Sequence, residues 1–335
     1  MSKLHHLPTG NIVWGKLPLG CRLCLRGRKA VVFITGLCPR RCFYCPLSTE
    51  RRGKDVFLVN DLLVKRIEDL IMEVAVSGAE GAGLTGGDPL VRKDRTLETI
   101  RTLKREFGED FHIHLYTSGA TLTGKLLEDL YRAGLDELRL HPKWPDLNRL
   151  LKIIEKRVND MKIGLEIPVL PGNEEVIRDL IRRLEGVVNF LNMNELEFSE
   201  TNYASLLQRG YELREDWVTA KGSRETALKV LDWCLREKVD LNVHFCPALA
   251  KDKYQSSLRL YRRAIITARP YEAITDYGSV VYLVNVTLHS IPPKGLYNPA
   301  KKAASPYLSK LISKGKLVEE LASTTRLRVY EEDIE

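Results

Sequence analysis

The chain lacks a long hydrophobic run, because no apolar stretch approaches the ~20 residues that a membrane span needs. Its first residues, Met1–His6, do not contain the apolar core of a secretory signal. We therefore expect a cytoplasmic protein that does not associate with a membrane. Thiols stay reduced in that compartment, so the seven cysteines are expected to be metal ligands or core residues and not disulfides.

Glutamine is scarce as well, occurring only at Gln208 and Gln255, whereas lysine, arginine and glutamate are abundant. This bias is typical of proteins from thermophiles. Internal repeats of fixed period and low-complexity tracts are also missing. With 335 residues, 44% of them hydrophobic, the chain can bury a large globular core, and its oligomeric state stays open.

Three cysteines stand close together in the spacing C-x3-C-x2-C: Cys38, Cys42 and Cys45. They follow an apolar stretch, residues 30–35, and the charged and proline residues between them suit an exposed loop better than a core. Three thiolates can hold three irons of a [4Fe–4S] cluster, and a fourth thiolate at comparable spacing is missing. One iron would then be open to a substrate, which is typical of a catalytic cluster. Zinc is a weaker interpretation, because zinc ligands usually come in separated pairs.

This motif resembles the hallmark of the radical S-adenosylmethionine (SAM) superfamily, and Tyr44 occupies a position that is often aromatic in that family. The resemblance extends over roughly residues 29–200 and is closest to an uncharacterised archaeal-type group related to pyruvate formate-lyase activating enzymes. It implies that SAM chelates the open iron, and that one electron breaks a sulfur–carbon bond to release a 5′-deoxyadenosyl radical. A one-electron donor of the ferredoxin or flavodoxin type is implied as a partner.

Short apolar runs alternate with segments of helical periodicity, which predicts an α/β fold built from βα units. The expected strands are 30–35, 82–85, 111–116, 136–140, 162–169 and 189–198. The expected helices lie near 61–77, 95–107, 123–133, 145–157 and 174–185. Six units match the partial (βα)6 TIM-like barrel that the resemblance implies, and a seventh can follow, with a helix over 223–238 and a strand over 240–245.

The domain organisation that we predict has three parts. Residues 1–28 form an amino-terminal segment with a Cys-x2-Cys knuckle, residues 29–247 form the barrel, and residues 248–335 form a basic carboxyl-terminal accessory region. In that last region we expect a helix over 251–266, a hairpin over 271–287 and a helix near 305–322.

Ligands of parallel barrels bind at the carboxyl ends of the strands, so polar residues there are candidates. After the second strand, Gly86, Gly87 and Asp88 resemble the family motif that binds the amino group of SAM, with aspartate in place of the usual glutamate. After the third strand, Thr117 and Ser118 resemble an element of glycyl-radical activases that positions SAM. A plain glycine turn and an ordinary Ser-Gly turn are the alternatives.

Later strands add four more candidates for SAM or substrate contacts. His141 follows the fourth strand, where a structural histidine is an equal alternative. Glu166 interrupts the apolar fifth strand, where an unpaired carboxylate would be costly, so it either contacts a ligand or forms an internal salt bridge. The unusually polar sixth strand contributes Asn194 and Glu197.

A second metal site is suggested by Cys21 and Cys24, whose C-x2-C spacing resembles a zinc knuckle. His244 and Cys246, two apart near a strand end, form a candidate returning pair. The set suits Zn²⁺, with an auxiliary iron–sulfur cluster as the alternative and an unmetallated loop as the plain interpretation.

Two substrate classes remain open for an enzyme. A non-catalytic electron-transfer protein is a third interpretation of the chain. Residues 251–330 hold 14 lysines and arginines against 5 acidic residues, which suits tRNA or other RNA as the substrate, with a solvated surface of the thermophilic type as the plain alternative. A glycyl-radical enzyme or another protein or small molecule is the alternative. The candidate phosphate-binding cations and stacking aromatics are Lys251, Lys253, Arg259, Arg262, Arg263, Lys301, Lys302, Lys310, Lys314, Lys316, Tyr254, Tyr261, Tyr297 and Tyr307.

Overall fold

A computed structural model describes residues 3–156, 160–270, 272–284, 316–321 and 327–330. The strands are β1 (Leu4–His6), β2 (Ile12–Trp14), β3 (Lys29–Thr35), β4 (Leu58–Val59), β5 (Leu62–Leu63), β6 (Gly81–Gly86), β7 (His112–Thr117), β8 (Glu137–Leu140), β9 (Lys162–Val169), β10 (Phe190–Glu195), β11 (Asn242–Cys246), β12 (Ala273–Ile274), β13 (Ser279–Val284), β14 (Lys316–Leu321) and β15 (Leu327–Tyr330). The helices are α1 (Leu19–Leu25), α2 (Ile67–Val76), α3 (Lys93–Phe107), α4 (Gly124–Arg132), α5 (Trp144–Glu155), α6 (Glu174–Leu184), α7 (Tyr203–Leu207), α8 (Ser223–Glu237), α9 (Ala248–Ala250) and α10 (Ser257–Thr267).

One large sheet organises the barrel. Its strands run in the order β1-β2-β11-β10-β9-β8-β7-β6-β3-β4-β5. The strands from β3 to β11 through β6, β7, β8, β9 and β10 pair in parallel, while β1-β2 and β4-β5 add antiparallel pairs at the two edges. Parallel neighbours joined by crossover helices are the arrangement that the βα alternation predicts. The predicted partial barrel is confirmed, and β11 supplies the strand of the seventh unit.

The core lies between this sheet and the amphipathic helices around it. Strand residues such as Ile34, Leu84 and Ile113 are fully buried, as are Leu130 on α4 and Ile181 on α6. The prediction of a helix over 61–77 is wrong in its amino-terminal part. Residues 58–63 form the β4-β5 hairpin, and α2 begins only at Ile67.

Helix α1 packs against β3, β6 and β7. A Cβ atom on Gly20 would stand 2.6 Å from Nδ1 of His114 and 2.7 Å from Nη2 of Arg139, so the helix approaches the barrel interior closely. His114 is the third of the six residues of β7, and Arg139 is the third of the four residues of β8. The helix of the predicted amino-terminal segment therefore packs against the interior of the barrel.

A helical segment after β11 crosses from that strand to α2. It comprises α9, a π-helical turn at Lys251–Ser256, and α10. Arg263 pairs with both carboxylate oxygens of the buried Glu73 on α2, at 3.0 and 2.9 Å, and Arg262 donates to the carbonyl of Gly78. The segment is therefore part of the barrel wall.

The carboxyl-terminal strands form a separate antiparallel sheet in the order β12-β13-β14-β15. The pairing of β12 with β13 confirms the predicted hairpin, with a positive φ of 79° at Gly278 in its turn. Residues 316–321 form β14, so the helix predicted near 305–322 is wrong there. Residues 305–315 and 322, and residues 271 and 285–287 of the predicted hairpin, lie outside the described part of the chain. None of the described helices is long and apolar enough to cross a membrane.

Replacing Arg263 with methionine should lower the free energy of unfolding by about 3 kcal/mol, because the carboxylate of Glu73 would remain buried without its cation. Chemical denaturation measures this change. The matched control is Arg101→Met at an exposed position of α3. Equal loss in both variants would show that the pair does not hold the segment in place, and Glu73→Gln combined with Arg263→Met should recover stability.

Candidate active site

A cavity of about 990 Å³ opens at the carboxyl ends of the parallel strands. The three cysteines of the C-x3-C-x2-C motif line it, and so do most of the predicted site residues. These are Cys38, Cys42, Tyr44, Cys45, Gly86, Gly87, Thr117, Ser118, His141, Glu166, Asn194 and Glu197. Asp88 is the predicted residue of this group that does not line it.

The cysteines stand on a loop whose two ends are joined by backbone hydrogen bonds. The amide of Gly36 donates to the carbonyl of Lys54 at 2.8 Å, and the amide of Gly53 donates to the carbonyl of Gly36 at 2.9 Å. Cys38 is exposed, and Cys42 and Cys45 are half-buried. In a four-iron cube each thiolate binds a different iron, so the three sulfurs need not converge on one point. Three accessible thiols on one loop beside an open cavity fit a [4Fe–4S] cluster.

The turn after β6 holds the first part of this loop. The amide of Gly87 donates to the carbonyl of Thr35 at 2.7 Å, and the amide of Asp88 donates to the carbonyl of Leu37 at 2.8 Å. A Cβ atom on Gly87 would stand 2.4 Å from the carbonyl oxygen of Leu37, which is closer than real contacts allow. The turn therefore needs glycine there because two backbones meet. Binding of the amino group of SAM by this turn stays a prediction.

The carboxylate of Asp88 points away from the cavity. One oxygen accepts from the hydroxyl of Thr117 at 2.8 Å and from the amide of Leu90 at 3.1 Å. The other accepts from the hydroxyl of Ser118 at 2.5 Å and from its amide at 3.1 Å. The fully buried Asp88 thus joins the end of β6 to the end of β7 and orients the two side chains that were predicted to position SAM.

Tyr44 connects the cysteine loop to the end of β8. Nδ1 of His141 lies 2.6 Å from the backbone carbonyl of Glu166, so it must carry the proton. Nε2 then accepts from the hydroxyl of Tyr44 at 2.7 Å. Burial lowers the pKa of His141, only partly offset by the bond to that carbonyl, which agrees with a neutral ring. His141 therefore positions the loop through Tyr44.

The carboxylate of Glu166 is engaged by three donors. Arg139 donates to it at 3.0 Å, Asn192 at 3.2 Å and Asn194 at 2.9 Å. Burial alone would raise the pKa of Glu166, but the guanidinium of Arg139 and the two amides hold it below its usual range. The internal salt bridge that was one of the two alternatives for Glu166 is thus present, and Glu166 also lines the cavity.

The structure reveals Arg139 as a residue that sequence reasoning missed. Its guanidinium also binds Glu137 with two nitrogens, the hydroxyl of Tyr116 at 3.2 Å and the sulfur of Cys21 at 3.3 Å. The alternation of polar and apolar residues on β8 indicates only on which face of the sheet Arg139 lies. The register of neighbouring strands, which decides its partners, has no local sequence signal.

The polar stretch after β10 holds the last part of the cysteine loop. Thr201 donates to the carbonyl of Cys45 at 3.2 Å, and Asn202 donates to the carbonyl of Tyr44 at 3.1 Å. Glu197 lines the cavity and forms an ion pair with Lys251. Much of the polarity noticed at the end of this strand therefore serves to hold the loop.

A second, smaller cavity of about 120 Å³ lies beside α1 and β11. Cys21, Cys24, His244 and Cys246 all line it, although they come from distant parts of the chain. Each already has a partner. Arg139 and Asn192 donate to Cys21, Gln255 bonds both Cys24 and Cys246, and Asn192 and Asn11 flank the two ring nitrogens of His244.

Among the described residues, no group of three or more histidine, cysteine, aspartate or glutamate side chains is arranged to hold a single metal ion. The second metal site therefore stays a prediction. Burial raises the pKa of Cys21 to about 11, with Arg139 opposing that rise.

The cations predicted to bind RNA phosphates are largely committed within the protein. Lys251, Arg262 and Arg263 have the partners given above, and Arg259 is half-buried, with a pKa that burial lowers. Lys253 is exposed. The side chains of the remaining predicted cations, Lys301, Lys302, Lys310, Lys314 and Lys316, and of Tyr297 and Tyr307, lie outside the described part of the structure.

Comparisons with known proteins identify the family of the chain. A family model described as the radical SAM superfamily matches residues 32–162. A candidate glycyl-radical enzyme activating enzyme of Methanocaldococcus jannaschii is 42% identical over 275 residues, covering 78% of this chain and 72% of that protein. A candidate GTP 3′,8-cyclase of Thermococcus kodakarensis is 32% identical over 149 residues, covering 44% and 43%. The solved coproporphyrinogen III oxidase from Escherichia coli, a radical SAM enzyme, superimposes with a TM-score of 0.40 and 12% identity over 66% of this chain and 56% of its own.

The chain therefore belongs to the radical SAM superfamily and is an enzyme of that class. Within the superfamily it falls in the group related to pyruvate formate-lyase activating enzymes. Membership implies a [4Fe–4S] cluster and SAM as cofactors, and enzymes of this class typically need a one-electron donor.

Gly87→Ala should impair cluster incorporation, because the added methyl group would displace the backbone of Leu37 at the start of the cysteine loop. Iron bound per chain after anaerobic reconstitution measures the effect, and we expect a severalfold decrease. Gly124→Ala is the matched control, since open space surrounds that position. Normal iron content in Gly87→Ala would show that the contact does not position the loop.

Proposed function

We propose that this chain is an activating enzyme that uses SAM to begin radical chemistry on a protein, as glycyl-radical activases do. The observation that carries the proposal is the open cavity beside Cys38, Cys42 and Cys45, which continues into the barrel past Glu166. When bound, a cluster with one open iron and SAM supply a 5′-deoxyadenosyl radical for hydrogen abstraction. The similarity to the candidate activating enzyme over most of both chains supports this substrate class.

The residues of the chain have defined tasks in this proposal. The three cysteines would hold the cluster, while Gly86, Gly87, Thr117 and Ser118 line the part of the cavity beside it. His141 and Thr201 keep the loop in place through their contacts with Tyr44 and Cys45. A fixed loop keeps the three thiols beside the cavity, where a bound cluster and SAM would supply the radical to the substrate.

RNA is less well supported as the substrate. Lys251, Arg262 and Arg263, which were expected to form a phosphate-binding face, bind protein groups instead. A cation that already neutralises a buried carboxylate adds little to the attraction of a polyanion. Activation of a glycyl-radical enzyme therefore replaces RNA modification as the function that we propose first.

Two measurements test the proposed function. Reconstituted protein with SAM and dithionite should release 5′-deoxyadenosine, and Cys42→Ser should abolish this release because one iron loses its ligand. Cys234→Ala, at a buried position of α8 away from the cavity, should retain it. No 5′-deoxyadenosine from the unaltered protein would overturn the assignment of radical chemistry.

The second measurement addresses the substrate class. The reconstituted protein is incubated with a glycyl-radical protein that a neighbouring gene encodes. The electron paramagnetic resonance spectrum should then show the doublet of a glycyl radical. SAM cleavage without a radical on any such protein would reject the activase reading and leave the class of enzyme intact.

A second metal between Cys21, Cys24, His244 and Cys246 is also proposed, with zinc ahead of an auxiliary iron–sulfur cluster. The shared cavity supports it, as do the N–H groups of Arg139 and Gln255 near the sulfurs, since such donors commonly surround metal-bound thiolates. A single ion needs sulfurs at about 2.3 Å, so these side chains would have to move from their present partners.

Metal analysis of anaerobically purified protein tests this site. We expect zinc in addition to cluster iron, and Cys24→Ala should remove the zinc while leaving the cluster iron unchanged. Cys234→Ala is the control. Cluster iron alone in the unaltered protein, or unchanged zinc in Cys24→Ala, would exclude the site.

A further inference from the structure

Lys29 lies at the opposite end of β3 from the cysteine loop. It is the first residue of the strand, and the loop follows Thr35, so the two are about 20 Å apart along the backbone at ~3.3 Å per residue. Its side chain nevertheless lines the main cavity, together with Val31 and Tyr116. The cavity therefore extends from the cysteines at its mouth to Lys29 deep in the barrel.

The ammonium group of Lys29 has few partners for a buried charge. The residue is 8% exposed, and Nζ lies 3.2 Å from Nε2 of His114 and 5.7 Å from the centre of the Tyr116 ring. Among the described residues, no carboxylate pairs with it, whereas the neighbouring Arg139 is paired with both Glu137 and Glu166. An ammonium has three donors, and one is used here.

His114 is a neutral partner for this ammonium. Burial, aided by Arg139 and Lys29 itself, lowers the pKa of His114 well below its ordinary value, so the ring is neutral and Nε2 accepts from Lys29. A buried ammonium that leaves N–H groups without acceptors is costly. Such a cost is tolerated where a ligand completes the site.

Gly83 on the adjacent strand lets this pair lie close against its backbone. A Cβ atom there would stand 2.8 Å from Nε2 of His114 and 3.3 Å from Cδ of Lys29. Gly83 and Lys29 both line the cavity, so the ammonium lies where the cavity meets the backbone of β6.

We propose that Lys29 binds a carboxylate of the molecule that enters the barrel. Two N–H groups of the ammonium have no acceptor among the described residues, and the two oxygens of one carboxylate can accept from both. A dianionic phosphate would be repelled more strongly than a carboxylate by Glu166, which lines the same cavity. The proposal names the substrate chemistry of the site in the proposed function, and it rests on that function for its identification of the cavity as the substrate site. The protein substrate then carries an acidic side chain or a terminal carboxylate on the part that enters the barrel.

The test compares thermal unfolding of reconstituted protein with succinate and with its neutral diamide, succinamide, at constant ionic strength. Succinate should stabilise the unaltered protein saturably and succinamide should not. Lys29→Met should require at least roughly tenfold more succinate, because a charge-assisted hydrogen bond is lost. Lys125→Met, at an exposed position of α4, should behave as the unaltered protein does.

A second readout separates ligand binding from a structural role. Without succinate, Lys29→Met should unfold at the same temperature as the unaltered protein or higher, because the substitution removes buried N–H groups that have no acceptor. A lower unfolding temperature would show that Lys29 balances the charge of Glu137 and Glu166, and would overturn the proposal. Equal effects of succinate and succinamide, or no effect of either, would overturn it as well.

SAM cleavage separates a failure of this proposal from a failure of the proposed function. Release of 5′-deoxyadenosine without any other substrate is measured on the same preparations. Absence of that release from the unaltered protein would contradict the proposed function, whereas succinate binding that is lost in Lys29→Met would still support a carboxylate site.

Discussion

The mouth of the barrel depends on one buried carboxylate, that of Asp88. It accepts four hydrogen bonds from Leu90, Thr117 and Ser118, while its own amide donates to Leu37. A carboxylate that is removed from water needs such partners, and bonds to an ionised acceptor are among the strongest in proteins. Three chain segments are thereby held together: the start of the cysteine loop, the end of β6 and the end of β7. The positions of the cysteines relative to the barrel follow from this arrangement.

The presence of aspartate where the family usually has glutamate gains a physical explanation from these contacts. The shorter side chain keeps its carboxylate close to its own backbone, within reach of the amide two residues later. Both oxygens then face the neighbouring strand and not the cavity. We infer that contact with SAM in this turn would fall to the backbone of Gly86 and Gly87, which do line the cavity.

Most of the barrel could be predicted from periodicity, because the apolar runs and amphipathic segments correspond to the strands and helices that form. The sequence contains a local signal for a turn before α2, but the apolar periodicity of the segment concealed it. Asn60 and Asp61 both have positive φ, at 46° and 71°, as in the two-residue turn of a hairpin. Leu63 happens to stand four residues before Ile67, at helical spacing, so the pattern favoured a longer helix. The carboxyl-terminal error at Lys316–Leu321 has a different cause, since those residues are strand because they pair with β13.

The contacts of the site were harder to predict than the identity of its residues. The cysteines and the residues at the strand ends have local patterns. The row formed by Glu166, Asn192 and His244, by contrast, exists because the register of three parallel strands places them side by side. The partners of Lys29 and Arg139 depend on the same registers and on the approach of α1. Charged residues on strands usually face solvent, whereas here they face the interior of a barrel.

The basic carboxyl-terminal composition shows why a count of charges does not identify a partner. Composition records how many cations a segment has, but it does not record which of them already have anions. Lys251 meets Glu197 beside the cavity, and Arg263 meets Glu73 on α2. These pairs attach the segment to two sides of the barrel, so their charge stabilises the wall and is largely neutralised there. Lys29 differs from them because its hydrogen-bond partner His114 is neutral, so the anion recognition that we propose lies inside the barrel and not on this surface.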